Sequence, residues 1–163
     1  MRWSRCPPPH NFTPAGLIHH AEIATQNPPF SIPTPRRGSR AAGARFERKV
    51  QSHLRESRPL SYRASPWIRF NNSRWCQPDG LDVDNGLITI VEIKLQHTAA
   101  AWWQTRQLYE PLVRHIFGEE YTYAVLEIVK WLDPHLAFPE RFEILDEPFL
   151  NMRDDAFHVC IWH

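Results

Sequence analysis

The stretch Pro78-Asp79-Gly80-Leu81-Asp82-Val83-Asp84-Asn85-Gly86-Leu87-Ile88-Thr89-Ile90-Val91-Glu92-Ile93-Lys94 holds two strand-like runs on either side of Asn85-Gly86. Asn-Gly tolerates the positive φ angles of a two-residue hairpin turn, so the runs are expected to pair antiparallel. With Asp84 opposite Leu87, the register places Asp82 opposite Thr89, Leu81 opposite Ile90, Asp79 opposite Glu92 and Gln77 opposite Lys94. Side chains alternate along a strand, so Asp79, Leu81 and Val83 share a face with Ile88, Ile90, Glu92 and Lys94. The apolar members mark that face as the core side. Asp82 and Asp84 fall on the other face with Thr89 and are expected to be solvated, unless a bulge near Pro78 or Gly80 turns one inward.

Three ionisable groups thus gather at one end of an apolar face. Asp79 and Glu92 are expected to be cross-strand neighbours, about 5 Å apart at Cβ. Two anions that close repel unless a cation lies between them. A hard divalent ion such as Mg²⁺ meets that need, because it takes oxygen ligands at roughly 2.1 Å and keeps waters and phosphate oxygens in its shell. Lys94 follows two residues after Glu92, where it can orient an attacking water, lower its pKa or stabilise a phosphate. A lone Glu-x-Lys commonly marks a solvated strand face, and an Asp before Gly is commonly a turn residue. The combination, brought together by one hairpin register, points to a metal-dependent phosphodiester site.

Upstream, Ser39 is a candidate N-cap for a helix in which Phe46, Val50 and Leu54 repeat every fourth residue, with Glu47 at the rim of that apolar stripe. Residues 65–71 and 74–84 look extended. Downstream, Thr98 can cap a helix through Ala101, Gln104, Leu108, Leu112 and Ile116 that ends at Gly118. Pro111 is expected to kink it by removing a donor and crowding the carbonyl of Gln107. Residues 121–130, 141–145 and 157–162 read as strands. This order predicts an α/β or α+β fold with a central mixed sheet flanked by helices.

Eight of the 15 prolines fall among the first 35 residues. Residues 1–38 therefore read as a Pro- and Arg-rich extension, flexible or loosely docked, with a short helix at 17–24; residues 39–163 read as the domain. The 163-residue length fits one core, and 42% hydrophobic with 23% charged residues is ordinary globular usage. No apolar run is long enough to span a bilayer, and residues 1–20 lack the apolar centre of a secretory signal, so a soluble, cytoplasmic protein with no membrane partner is expected. Cys6, Cys76 and Cys160 form no CxxC pair and read as free thiols. The nine histidines include no HExxH or closely spaced His/Cys set. The net charge of +1 excludes histone-like coating of DNA. It conceals an asymmetry, however, since residues 36–74 carry 11 basic against two acidic residues and residues 75–163 carry six basic against 15 acidic. The basic half includes the first helix and the approach to the carboxylates.

Glu47 on the first helix, Pro78-Asp79, and Glu92-Ile93-Lys94 together resemble the PD-(D/E)xK nuclease superfamily, in its RecB-like and lambda-exonuclease-like branch. The likeness runs over residues 43–117, with residues 121–129 as a following strand. It implies a restriction-endonuclease-like core of helix, three-stranded meander, helix and strand, and hydrolysis of DNA with Mg²⁺ or Mn²⁺. Carried over residue by residue, Asp79, Glu92 and the backbone carbonyl of Ile93 would bind metal. Lys94 would position or activate the water, and Glu47 would add an acidic contact. The branch also places a Gln and a Tyr on the following helix. Gln107-Leu108 begins that pattern but meets Pro111 where the tyrosine belongs, while Gln104 precedes Tyr109 by five residues instead of four. Helical geometry favours Gln104. The segment 94–116 looks like small phage or prophage members of the superfamily. Two alternatives stay open: an inactive DNA- or protein-binding module on the same fold, and a phage assembly protein whose N-terminal extension docks a partner chain. A homo-oligomer is compatible with any of them.

Overall fold

The computed structural model describes residues 17–30, 38–133, 135, 142–152 and 156–163. Expectations for Cys6 and the rest of residues 1–16 and 31–37 lie outside them. In chain order the elements are β1 (Ala21–Ile23), α1 (Ser39–Ser57), β2 (Tyr62–Ala64), β3 (Ile68–Phe70), β4 (Arg74–Cys76), β5 (Gly80–Asp84), β6 (Leu87–Gln96), α2 (Ala99–Trp103), a π-helical segment (Gln104–Tyr109), α3 (Glu110–Phe117), β7 (Thr122–Trp131), β8 (Phe142–Leu145) and β9 (Phe157–Ile161).

The hairpin at the centre of the sequence forms with the expected register. Gly80 pairs with Val91, Leu81 with Ile90, Asp82 with Thr89, Val83 with Ile88 and Asp84 with Leu87. Asn85 and Gly86 adopt φ values of 46° and 83°, as a two-residue turn between twisted strands requires. Around this hairpin grows a six-stranded mixed sheet in the order β2-β5-β6-β7-β9-β8. β5 runs antiparallel to both its neighbours, β2 and β6, while β7 lies parallel to β6 because the helical segment between them carries the chain across the sheet. β1, β3 and β4 form a separate three-stranded sheet.

Both faces of the main sheet are covered. Phe46, Val50 and Leu54 of α1 pack with Val91, Ile93, Leu126 and Ile128 on one side. Leu108, Tyr109, Leu112 and Val113 pack with Leu81, Ile88, Ile90 and Tyr123 on the other. This double burial explains why Leu87–Val91, the first half of β6, carries apolar residues on both faces, interrupted by Thr89, before Val91–Gln96 alternates. It also corrects the expectation for Asp82. The second face of the hairpin lies beneath α1, so Asp82 is only 2% exposed, bonded to Ser61 Oγ at 2.6 Å and paired with Arg58 at 3.0 Å. Arg58 also pairs with the exposed Asp84 at 3.2 Å. Arg58→Ala strands the Asp82 carboxylate without its cation and is expected to cost about 2–3 kcal/mol in urea unfolding.

Three further expectations are corrected. Ser39 is the first helical residue, and Gly38, at φ 60°, occupies the cap, its carbonyl accepting from the amides of Ala41 and Ala42. Residues 17–24 contain a strand, not a helix. β1 pairs with β3, and Ile18, Ala21 and Ile23 pack on the core, so this part of the extension is docked. The Asn71 side chain ties it down, donating to the Leu17 carbonyl and accepting from the amides of His19 and His20. The helix containing Pro111 is not one continuous α-helix, since a π-helical segment, Gln104–Tyr109, lies directly before Glu110. Thr98 caps its start, accepting from the Ala101 amide at 3.2 Å, and Gly118 ends it at φ 91°. Cys76 and Cys160 are buried free thiols. Among the described residues, no helix is long and apolar enough to cross a membrane.

Candidate functional site

The β5–β6 ladder ends at Gly80, one residue before the expected Asp79–Glu92 pair and well short of Gln77–Lys94. Asp79 leaves the ladder, and its carboxylate substitutes for a strand partner: Oδ2 accepts from the Ile93 amide at 2.7 Å. Its carbonyl accepts from Ser65 N at 2.9 Å, Gln51 Nε2 at 3.1 Å and Tyr62 OH at 3.4 Å. Glycine follows because a Cβ on Gly80 would lie 2.5 Å from the outer atoms of the Tyr62 side chain and force that ring to shift. Asp79 is therefore held from both its backbone and its side chain.

Glu92 projects from β6 and is 1% exposed. Its Oε1 accepts from Lys94 Nζ at 2.5 Å, while its Oε2 is buried with no hydrogen-bond partner. Burial, then the negative charge of Asp79, pushes the carboxyl from an ordinary value of 4.5 up to about 8, with Lys94 offsetting part of the rise. For Lys94 burial works toward a lower pKa, but the charges of Glu92 and Asp79 outweigh it and the net shift is upward. The ammonium thus stays charged between two acids.

Glu47 is half-buried on α1 and borders a cavity of about 370 Å³ with Lys94, Ile93 and Arg40. Gln51, one turn further along, joins it to Asp79. The single Gln51 amide nitrogen donates to Glu47 Oε1 at 3.4 Å, to Ser65 Oγ at 2.8 Å and to the Asp79 carbonyl.

Gln104 and Tyr109 are brought together by the π-helical segment. In an α-helix, residues five apart point about 140° away from each other. The i to i+5 bonding of a π-helix puts them on one side, seen here in the bond from the Glu110 amide to the Thr105 carbonyl. Gln104 Nε2 donates to the Tyr109 hydroxyl, which donates to the Gln77 carbonyl at 3.0 Å, two residues before Asp79. Burial, followed by the charge of Glu92, raises the Tyr109 pKa and keeps it neutral.

Sequence reasoning passed over three residues, Gln51, Glu127 and His97. Gln51 joins Glu47 to Asp79 as described above. Glu127, fully buried on β7, is the ladder neighbour of Glu92; its Oε2 contacts Nδ1 of buried His97, and its Oε1 has no hydrogen-bond partner. The available signal was a lone carboxylate inside the apolar strand Tyr-Ala-Val-Leu-Glu-Ile-Val, residues 123–129.

Among the described residues no three His, Cys, Asp or Glu side chains form a group able to hold a metal by themselves. The chemistry of Asp79 and Glu92 nonetheless fits a hard divalent ion. They are two mutually repelling carboxylates, one with a buried, unpartnered oxygen, and Mg²⁺ fills the rest of its shell with water and phosphate oxygens. No protein-family model matches the chain, and no curated protein matches its sequence.

Proposed function

We propose that the protein is a divalent-metal-dependent deoxyribonuclease built on a restriction-endonuclease-like core. The order α1, β2, β5, β6, α2–α3, β7 supports this reading as the helix, meander, helix and strand of the PD-(D/E)xK superfamily, with β3–β4 inserted in the meander. The observation that carries the reading is the junction of Asp79, Glu92 and Lys94 at the open end of the hairpin, where a buried Glu92 oxygen lacks a partner. Asp79 and Glu92, with the Ile93 carbonyl, would hold Mg²⁺ or Mn²⁺. When bound, the ion supplies the positive charge that offsets the carboxylates and polarises a phosphate. Lys94 orients the attacking water and donates to the phosphate. Glu47 accepts a hydrogen bond from that water, and Gln104 steadies Tyr109 against the strand leading into Asp79. The reading takes the site of action to be a cytoplasm, that of a phage host included.

A second reading, an inactive DNA- or protein-binding module, is favoured by the Lys94–Glu92 pair, which already offsets one carboxylate. Mn²⁺ binding separates the two. The nuclease reading predicts that millimolar Mn²⁺ raises the melting temperature of the wild type and leaves Asp79→Ala unchanged. Equal response of the two proteins would favour the module.

A further inference from the structure

Among the described residues some cations are committed to acids, and others, Arg48, Arg55 and Arg63 included, are exposed with no salt bridge. Arg58, Arg69, Arg106, Arg114 and Lys94 are each paired with an acid. Arg40, Arg45, Lys49 and Lys130 are exposed and form no salt bridge among the described residues. All four border two neighbouring cavities that meet at Leu95. The first, of about 370 Å³, holds Arg40 with Glu47 and Lys94 of the candidate site. The second, of about 230 Å³, is bordered by Arg45, Lys49, Lys130 and His163 and by no acid.

The placement follows from α1. Ala42, Arg45 and Lys49 recur at three- and four-residue spacing on one side of the helix, and Arg40, Gly43 and Glu47 recur similarly on the adjoining side. The small residues Ala41 to Ala44 leave a low floor, and a Cβ built on Gly43 meets nothing within 4 Å. Lys49 is held in place, its ammonium 5.1 Å from the centre of the Trp162 ring, which also packs on His53 and Phe46. From Arg40 to Lys49 the helix rises about 13 Å, enough to meet several phosphates of a nucleic-acid strand.

We propose that Arg40, Arg45, Lys49 and Lys130 form a track that carries the DNA backbone along the N-terminal half of α1 into the Lys94 site. This rests on the nuclease reading for its occupant. The track explains how a chain of net charge +1 holds a polyanion: four exposed cations gather along two cavities beside the site, whose linings include one acid, Glu47.

The test measures binding of labelled DNA by fluorescence anisotropy in chelator across a salt series, and KM and kcat for cleavage with Mn²⁺. Arg45→Ala/Lys49→Ala/Lys130→Ala is expected to weaken DNA binding at least tenfold and to reduce the slope of log affinity against log salt by about 2–3. KM should rise and kcat at saturating DNA should hold. Lys130→Glu, at an exposed strand end, gives the same direction without disturbing Trp162. Unchanged affinity and slope in both variants, in a protein that cleaves DNA, overturns the track and leaves the nuclease reading intact. Track-dependent binding without cleavage leaves the track standing and removes the nuclease. Absence of DNA binding, or competition by polyglutamate equal to that by DNA at the same charge concentration, also overturns the track.

Discussion

Glu92→Gln is expected to reduce DNA cleavage about 10³-fold while making the metal-free protein more stable. Activity falls because the neutral amide gives up the charge that would bind the ion. Stability rises because the site, without metal, is a place where a carboxylate is penalised. With a folded pKa of about 8 against an ordinary 4.5, the unfolded chain releases this proton first as pH rises. The folded state then loses ground from about pH 4.5 to about pH 8 and no further, while below pH 4.5 both states keep the proton and nothing is lost. Glu92→Gln removes that slope. Melting curves in chelator should therefore separate with rising pH, the variant melting roughly 5 °C higher at pH 8.5. Wild-type melting that does not decline across this window would contradict the assigned burial of the carboxylate.

Lys94→Ala should move stability the other way. It removes the cation that bonds Glu92 and leaves the repulsion between Glu92 and Asp79 unopposed. Cleavage is expected to fall about 10³-fold, within the range for loss of a positioned proton-transfer or charge-stabilising group. The metal-free protein should melt lower than the wild type at pH 8.5. The double variant Glu92→Gln/Lys94→Ala makes the distinction sharper: stability should recover much of the loss, while activity should not. Such non-additivity is expected of residues in contact. Recovery of cleavage in the double variant would mean that Lys94 only neutralises Glu92 and has no role toward substrate.

The hairpin, its register from Gly80 to Asp84, the Thr98 cap and the Gly118 stop were all legible, because each depends on local chemistry. The errors came from tertiary contacts. Asp82 was assigned to water because alternation shows only that a strand has two faces, and α1 covers the second one. Residues 17–24 were misread because a three-residue strand carries little pattern; pairing with β3 and the Asn71 bonds define it. At the site, Asp79, Glu92 and Lys94 could be grouped from the register, but the ladder stops early and Asp79 reaches Glu92's strand through the Ile93 amide. The five-residue spacing of Gln104 and Tyr109 looked like a defect while an α-helix was assumed. A π-helical turn makes it a shared face. Glu127 stood out as a lone carboxylate in an apolar strand, but its meeting with His97 was not legible, because it depends on a parallel neighbour supplied by a crossover.

The most direct measurement of the central claim is cleavage of linear and circular DNA, single- and double-stranded, by the wild type and Asp79→Ala, with Mg²⁺ or Mn²⁺ and with chelator. Cleavage by the wild type that requires the ion and disappears in the folded variant is the predicted result. No cleavage of any substrate with either ion, or cleavage that persists in chelator or in Asp79→Ala, would contradict it.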